Sequence, residues 1–236
     1  MQATEIRTIG HQVKQPLTAL SLMIGALNRR LPDDPECTEI LSRMRDCARQ
    51  LHRMLLSLLD FLQAEHRTDT VERRSFPVMS LIEKLALDIQ GLIPADRPEP
   101  RVVETQAIVW SDPLIVEIIL RNLLLNALFF AAGGKVLVGC RRAGDHVRIL
   151  VCDTGIGIPE SKIDYIFQPL AKVRAAGSDI VEGLGLGLPA AERLAHRLGH
   201  PLTVRSVPGK GTSFSLMLPI APPKTTDAGG NGANEV

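Results

Sequence analysis

Apolar residues recur at three- and four-residue steps from the start of the chain. Ile6, Ile9, Val13, Leu17, Leu20, Ile24, Leu27 and Leu31 form one stripe and predict an amphipathic helix over Ile6–Leu31. The tract Leu31-Pro32-Asp33-Asp34-Pro35 stops it, because two prolines and paired aspartates favour a turn. A second helix is expected from about Glu36 to Ala64, striped by Ile40, Leu41, Met44, Cys47, Leu51, Met54, Leu55, Leu58 and Leu62. An isolated hairpin buries two such stripes poorly. Two hairpins associating as a dimeric four-helix bundle are therefore favoured, and docking of the hairpin on the rest of its own chain is the other packing open to it.

Beyond Ala64 the pattern changes. Polar residues Glu65 to Arg74 suggest a linker. A helix is expected at Val78–Leu92, strands at Arg101–Thr105 and Ile108–Trp110, and a very apolar helix at Pro113–Ala131. Strands at Lys135–Arg141 and His146–Asp153 flank Ala143-Gly144-Asp145, which has hairpin character. A helix at Leu188–Leu198 and strands at Leu202–Ser206 and Thr212–Pro219 follow, then a tail from Pro222 expected to be disordered. The fold class is α+β, a sheet covered by helices on one face, preceded by the helical hairpin. The expected division is 1–66 hairpin, 67–74 linker, 75–221 α/β domain and 222–236 tail.

Composition narrows the partners. The 236 residues hold 27 Lys and Arg against 26 Asp and Glu, so no charge excess draws the chain to nucleic acid or anionic lipid. Cys37, Cys47, Cys140 and Cys152 show no metal-binding spacing and fit reduced thiols in a cytoplasmic setting. No apolar run is read as approaching the ~18 residues needed to span a bilayer. No membrane contact is expected within this chain, although a longer parent protein could be tethered.

Four clusters carry candidate chemistry. His11 lies on the first stripe with Pro16 five residues later, where the missing backbone donor bends a helix and can push a neighbouring side chain outward. Neutral imidazole is a competent nucleophile, although a lone histidine is often merely exposed. Asn122 and Asn126 share one face of an otherwise apolar helix, where unpartnered amides are costly; they face a ligand or cap nearby strands. An amide oxygen also suits Mg²⁺. Asp153-Thr154-Gly155-Ile156-Gly157-Ile158-Pro159 leaves a strand, offering a carboxylate to an exocyclic amine and glycines to a flat ring, or forming an ordinary turn. Gly183-Leu184-Gly185-Leu186-Gly187-Leu188 opens a helix, where free N–H groups suit phosphates or simply give a flexible turn.

In order and spacing these clusters resemble the histidine kinases of two-component systems over Ile6–Pro219. His11 to Leu17 is similar to the family's His box, Asn122 to Asn126 to its Asn box, and Phe167-Gln168-Pro169-Leu170 to its Phe box. Gly209-Lys210-Gly211-Thr212-Ser213-Phe214 resembles its closing glycine segment. The resemblance implies a homodimeric phosphotransfer hairpin followed by a Bergerat-type ATP-binding domain. It further implies transfer of the γ-phosphoryl of ATP to His11 and onward to an Asp of a response regulator receiver domain. On those terms Asp153 binds the adenine amine, Asn126 holds Mg²⁺ and Asn122 meets the phosphate region. Phe130, Gly155, Gly157, Ile158, Gly183, Leu184, Gly185, Leu186, Gly187, Leu188 and Thr212 line the nucleotide. The stretch Leu170–Glu182 forms a lid offering Lys172 and Arg174 to phosphate.

Four positions depart from the family pattern. Gln12 stands where an acidic residue usually follows the histidine, and an amide cannot take a proton near neutral pH. Gln15 replaces the usual Thr or Asn four residues after His11, and Phe129 with Phe130 replaces a basic and aromatic pair. Competing readings are a nucleotide-responsive dimeric scaffold without phosphotransfer, and the ATPases or serine kinases that share the nucleotide fold but lack the upstream hairpin.

Overall fold

The computed structural model describes residues 18–20, 22–27, 35–66, 70–90, 92–93, 97–131, 133–171 and 184–222. Residues 18–20 and 22–27 are helical, and α1 spans Pro35–His66. Pro35 as the first helical residue needs no backbone donor there, and Glu36 suits the positive helix end. The two arms touch through buried Ile24, Leu41 and Ala48. Leu22, Met23, Leu27, Ile40, Met44, Leu51 and Leu58 remain exposed. The outer parts of the first helix and the expected turn at 31–35 lie mainly outside the described residues.

The α/β domain begins with β1 (Arg74–Pro77), a strand at the expected end of the linker where the sequence suggested no element. A single buried Phe76 gives too little alternation to read as a strand; its pairing with β3 (Ile108–Ser111) creates it. α2 (Val78–Gln90) follows at once, its first N–H bonded to the Ala107 carbonyl. β2 is shorter than expected, Pro100–Val102 rather than Arg101–Thr105. After Val103 the Thr105 hydroxyl accepts the Ala107 N–H at 3.2 Å and turns the chain away.

α3 (Pro113–Phe130) is capped by buried Asp112. Its Oδ1 accepts the N–H groups of Leu114 and Ile115, and its Oδ2 accepts the N–H of Glu72. At 18 residues α3 is long and apolar enough to cross a membrane, which corrects the reading that no stretch approaches that length. Ile115, Ile119, Leu123 and Leu128 are instead fully buried inside the domain.

β4 (Val136–Ala143) and β5 (His146–Asp153) form a hairpin around Gly144-Asp145, with Gly144 at φ 66°. Glu160–Lys162 and Tyr165–Phe167 are short 3₁₀ turns. α4 (Gly187–Leu198) ends on left-handed Gly199, and β6 (Leu202–Val207) and β7 (Gly211–Pro219) complete the sheet. Its order is β2-β4-β5-β7-β6, antiparallel except for β2 with β4.

One face of the sheet presents Val136, Val138, Val147, Ile149, Val151, Phe214, Leu216 and Leu218. These pack with Ile82 and Leu85 of α2, the apolar side of α3, and Leu194 and Leu198 of α4. The opposite face carries exposed Arg141, Arg148 and Arg205. The architecture is the expected two-layer α/β sandwich. α1 also docks on this domain, chiefly along α4.

Asp112→Ala should lower stability by about 2 kcal/mol, from loss of a helix cap and of the Glu72 tether. Urea unfolding checks this, with an unchanged midpoint as the contrary result.

Candidate functional site

Asp153 ends β5, opposite Thr212 of β7. Its Oδ1 accepts the Gly155 N–H at 2.8 Å and the Thr212 N–H at 3.3 Å, fixing the carboxylate at the sheet edge and leaving Oδ2 as an acceptor. Burial pushes the carboxyl above its usual range, opposed by the two backbone donors. The loop after it closes on the end of α3. The Ile156 N–H reaches the Phe130 carbonyl at 3.2 Å, and a Cβ on Gly155 would collide with that carbonyl. Gly155 is thus required by close approach of two backbones. The Ile158 N–H donates to the Ser206 hydroxyl at 2.7 Å, which also lies 2.9 Å from the Thr212 hydroxyl. Phe130 itself is exposed.

α3 runs from this loop toward the second glycine segment. Asn126 lies one turn before Phe130 and is partly exposed; Asn122 lies a further turn back and is buried. At ~1.5 Å rise per residue the two amides sit roughly 6 and 12 Å along the helix from Phe130. Gly187 opens α4 so close to Asn122 that its Cβ would meet Asn122 Oδ1. Leu186 is buried at the start of α4, Leu184 is half-buried and Leu188 packs against the core. The Gly185 carbonyl accepts the Leu170 N–H at 3.0 Å, tying both ends of the 172–183 stretch together.

The expected site residues thus gather along one face of α3: Asp153, Gly155, Gly157, Ile158, Phe130 and Thr212 at one end, Asn122 and Gly185–Leu188 at the other. His11, Gln12, Gln15, Lys172, Arg174 and Gly183 lie outside the described residues. A cavity of about 450 Å³ between α1 and α4, lined by Ala64, Glu65, Glu192, Arg193 and His196, includes none of the expected site residues.

Residues that the motifs did not single out close the site from the stem side. Buried Asp60 accepts from Arg121 Nη2 at 2.5 Å and from Asn122 Nδ2 at 3.0 Å. Burial raises the Asp60 carboxyl despite the guanidinium beside it. The Arg53 guanidinium stacks 3.5 Å from the Phe129 ring centre, while Arg97 donates to the Phe129 carbonyl at 2.7 Å. Farther along the stem, Arg193 lies over Phe61 and pairs with Glu65. An acid inside the apolar run Leu58-Leu59-Asp60-Phe61-Leu62 was the available signal for Asp60.

Comparison with known proteins places this geometry. The His kinase A phospho-acceptor domain model matches residues 1–67, and the histidine kinase-, DNA gyrase B- and HSP90-like ATPase model matches 111–222. The sensor histidine kinase AtsR of Burkholderia thailandensis is 26% identical over 226 residues, 93% of this chain and 37% of AtsR. The alginate biosynthesis sensor protein KinB of Pseudomonas aeruginosa is 30% identical over 219 residues, 89% of this chain and 36% of KinB. This chain therefore spans little more than a third of either relative. Among solved structures, full-length ShkA in complex with AMPPNP shares the fold at a TM-score of 0.62 and 21% identity, covering 94% of this chain and 47% of ShkA. The Acinetobacter baumannii histidine kinase AdeS does so at 0.57 and 18%, covering 90% and 98%. With a phospho-acceptor domain leading into this ATPase domain, the chain belongs to the sensor histidine kinases of two-component systems.

Proposed function

We propose that this chain binds ATP along α3, transfers the γ-phosphoryl group to His11, and passes it to an aspartate of a response regulator receiver domain. The observation that carries the reading is the arrangement along α3. A pinned carboxylate with a spare acceptor oxygen lies beside Phe130 at one end, and the Asn122–Gly187 contact lies two helical turns back along α3 at the other, an arrangement that suits a nucleoside with its phosphates. Asp153 accepts from the adenine amine. The start of α4 offers backbone N–H groups to the phosphates, joined by Lys172 and Arg174 from the lid.

Asn126 is the chain's ligand for Mg²⁺, with the Asn122 amide oxygen nearby. The described residues hold no cluster of three acidic, His or Cys side chains, so the donor set fits an ion held by one amide, phosphate oxygens and water. When bound, the ion offsets phosphate charge. In the transfer, an imidazole nitrogen of His11 forms a bond to the γ-phosphorus as the bond to the leaving ADP oxygen breaks. The ring proton departs to solvent, because Gln12 cannot accept it.

Dimerisation through the stem is the natural use of its exposed residues. Ile40, Met44, Leu51 and Leu58 run along α1 on one apolar stripe, and a second hairpin would cover them. Four free cysteines fit a reducing, cytoplasmic compartment.

Three outcomes follow. Incubation with γ-labelled ATP and Mg²⁺ should give acid-labile, alkali-stable label that His11→Ala abolishes. Gln12→Glu should raise the initial labelling rate up to about 100-fold, the low end of general-base assistance. Undiminished label in His11→Ala would overturn the mechanism, and nucleotide binding without any label would instead support a scaffold.

Asp153→Asn should act oppositely on binding and on stability. Affinity for ATP and ADP should fall at least tenfold, since the acceptor for the amine is damaged. A carboxyl raised on folding favours the folded state fully only below its unfolded value near ~4, and that favour is lost as pH rises through the folded value. The nucleotide-free variant should therefore resist urea better than the parent at pH 7, with the difference vanishing near pH 4. Unchanged ADP affinity would remove the adenine assignment.

Replacing Met44 and Leu51 by glutamate should shift the sedimenting species from dimer to monomer at micromolar concentration. A parent chain that sediments as a monomer would contradict the bundle.

A further inference from the structure

Asn122 has two amide hydrogens, and both are committed. Nδ2 donates to Asp60 Oδ2 at 3.0 Å and to the Ile118 carbonyl at 2.9 Å. The assignment of nitrogen and oxygen follows from the partners, because a carboxylate and a carbonyl can only accept. Phosphate oxygens are also acceptors, so in this arrangement Asn122 has no hydrogen to offer them. The Asp60 carboxylate further places a buried negative charge against the helix face assigned to a polyanion, paired with the Arg121 guanidinium. Around it the stem makes further polar contacts, Arg53 on Phe129, Glu65 with Arg193, and Arg49 donating to the Ile93 carbonyl at 3.1 Å, beside the apolar packing of Ala64 on the domain core.

We propose that Asp60 is a latch that holds the stem docked on the ATP-binding domain by occupying Asn122 and Arg121, so that stem docking and engagement of the nucleotide phosphates compete for the same amide. The inference rests on the assignment of Asn122 to the phosphate region. With the latch closed, the stem is held along α4 and the phosphate end of the site lacks one of its donors. Once Asp60 lets go, Asn122 Nδ2 turns to the phosphates and α1 is released to reposition. By linkage the coupling is reciprocal: whatever frees the stem tightens nucleotide binding, and nucleotide frees the stem by the same factor.

Titration of the full chain with the nonhydrolysable analogue AMPPNP and Mg²⁺ tests this, comparing the parent with Asp60→Ala. A second variant, Asp60→Ala with Arg121→Met, leaves no unpaired buried charge and guards against misfolding. Both should bind AMPPNP about tenfold more tightly, within the usual 5- to 150-fold range of such couplings. In the parent, AMPPNP should also speed amide hydrogen exchange over residues 49–62. Unchanged or weaker affinity in a double variant that melts like the parent would overturn the latch, as would unaltered exchange in the stem at saturating analogue. Absence of AMPPNP binding by the parent would overturn the nucleotide-site reading itself, which separates the two failures.

Discussion

The structure turns on one constraint: α3 must be apolar enough to fill the layer between sheet and stem while carrying polar side chains that cannot be left unpartnered. Asp112 satisfies the helix start and ties in the preceding chain; Asn122 satisfies its amide on Asp60 and Ile118; Arg121 finds the same carboxylate. Three neighbours of α3 therefore meet it at a polar point. The first glycine loop bonds the carbonyl at its end, α4 begins against its central amide, and the stem reaches it through Asp60.

Glycine stands where neighbouring elements meet α3 most closely, at Gly155 beside Phe130 and at Gly187 beside Asn122. An alanine at either would press into fixed backbone or into the amide. The stem reaches the same helix through Asp60, at Arg121 and Asn122.

Much of this was legible in the sequence. Helical stripes in the stem, the strands β4 and β5 and the Gly-Asp turn between them are all set by neighbours close in sequence. What escaped were features made by partners distant in sequence. β1 has one inward residue and exists because β3 lies beside it. β2 stops early because a threonine hydroxyl turns the chain. α3 matches a membrane span in length and apolarity, and only its packing distinguishes it. At the site, spacing gathered Asn122, Asp153 and the glycines, but Asp60 lies 62 residues from its amide partner, and no local pattern links them.

Sheet order has a consequence for synthesis. β7 is the last strand of this sheet in chain order, yet it lies between β5 and β6 and pairs with all eight residues of β5. Until residue 219 has left the ribosome, the emerging hairpin of β4 and β5 exposes a bare edge of eight residues whose inner face is Val147, Ile149 and Val151. Such an edge is a template for pairing with other chains, so the nascent protein passes through a late interval in which a holdase is useful. Exposed Arg148 on β5 and Arg141 opposite it put like charges on that ribbon and make stacking of one nascent chain on another less favourable.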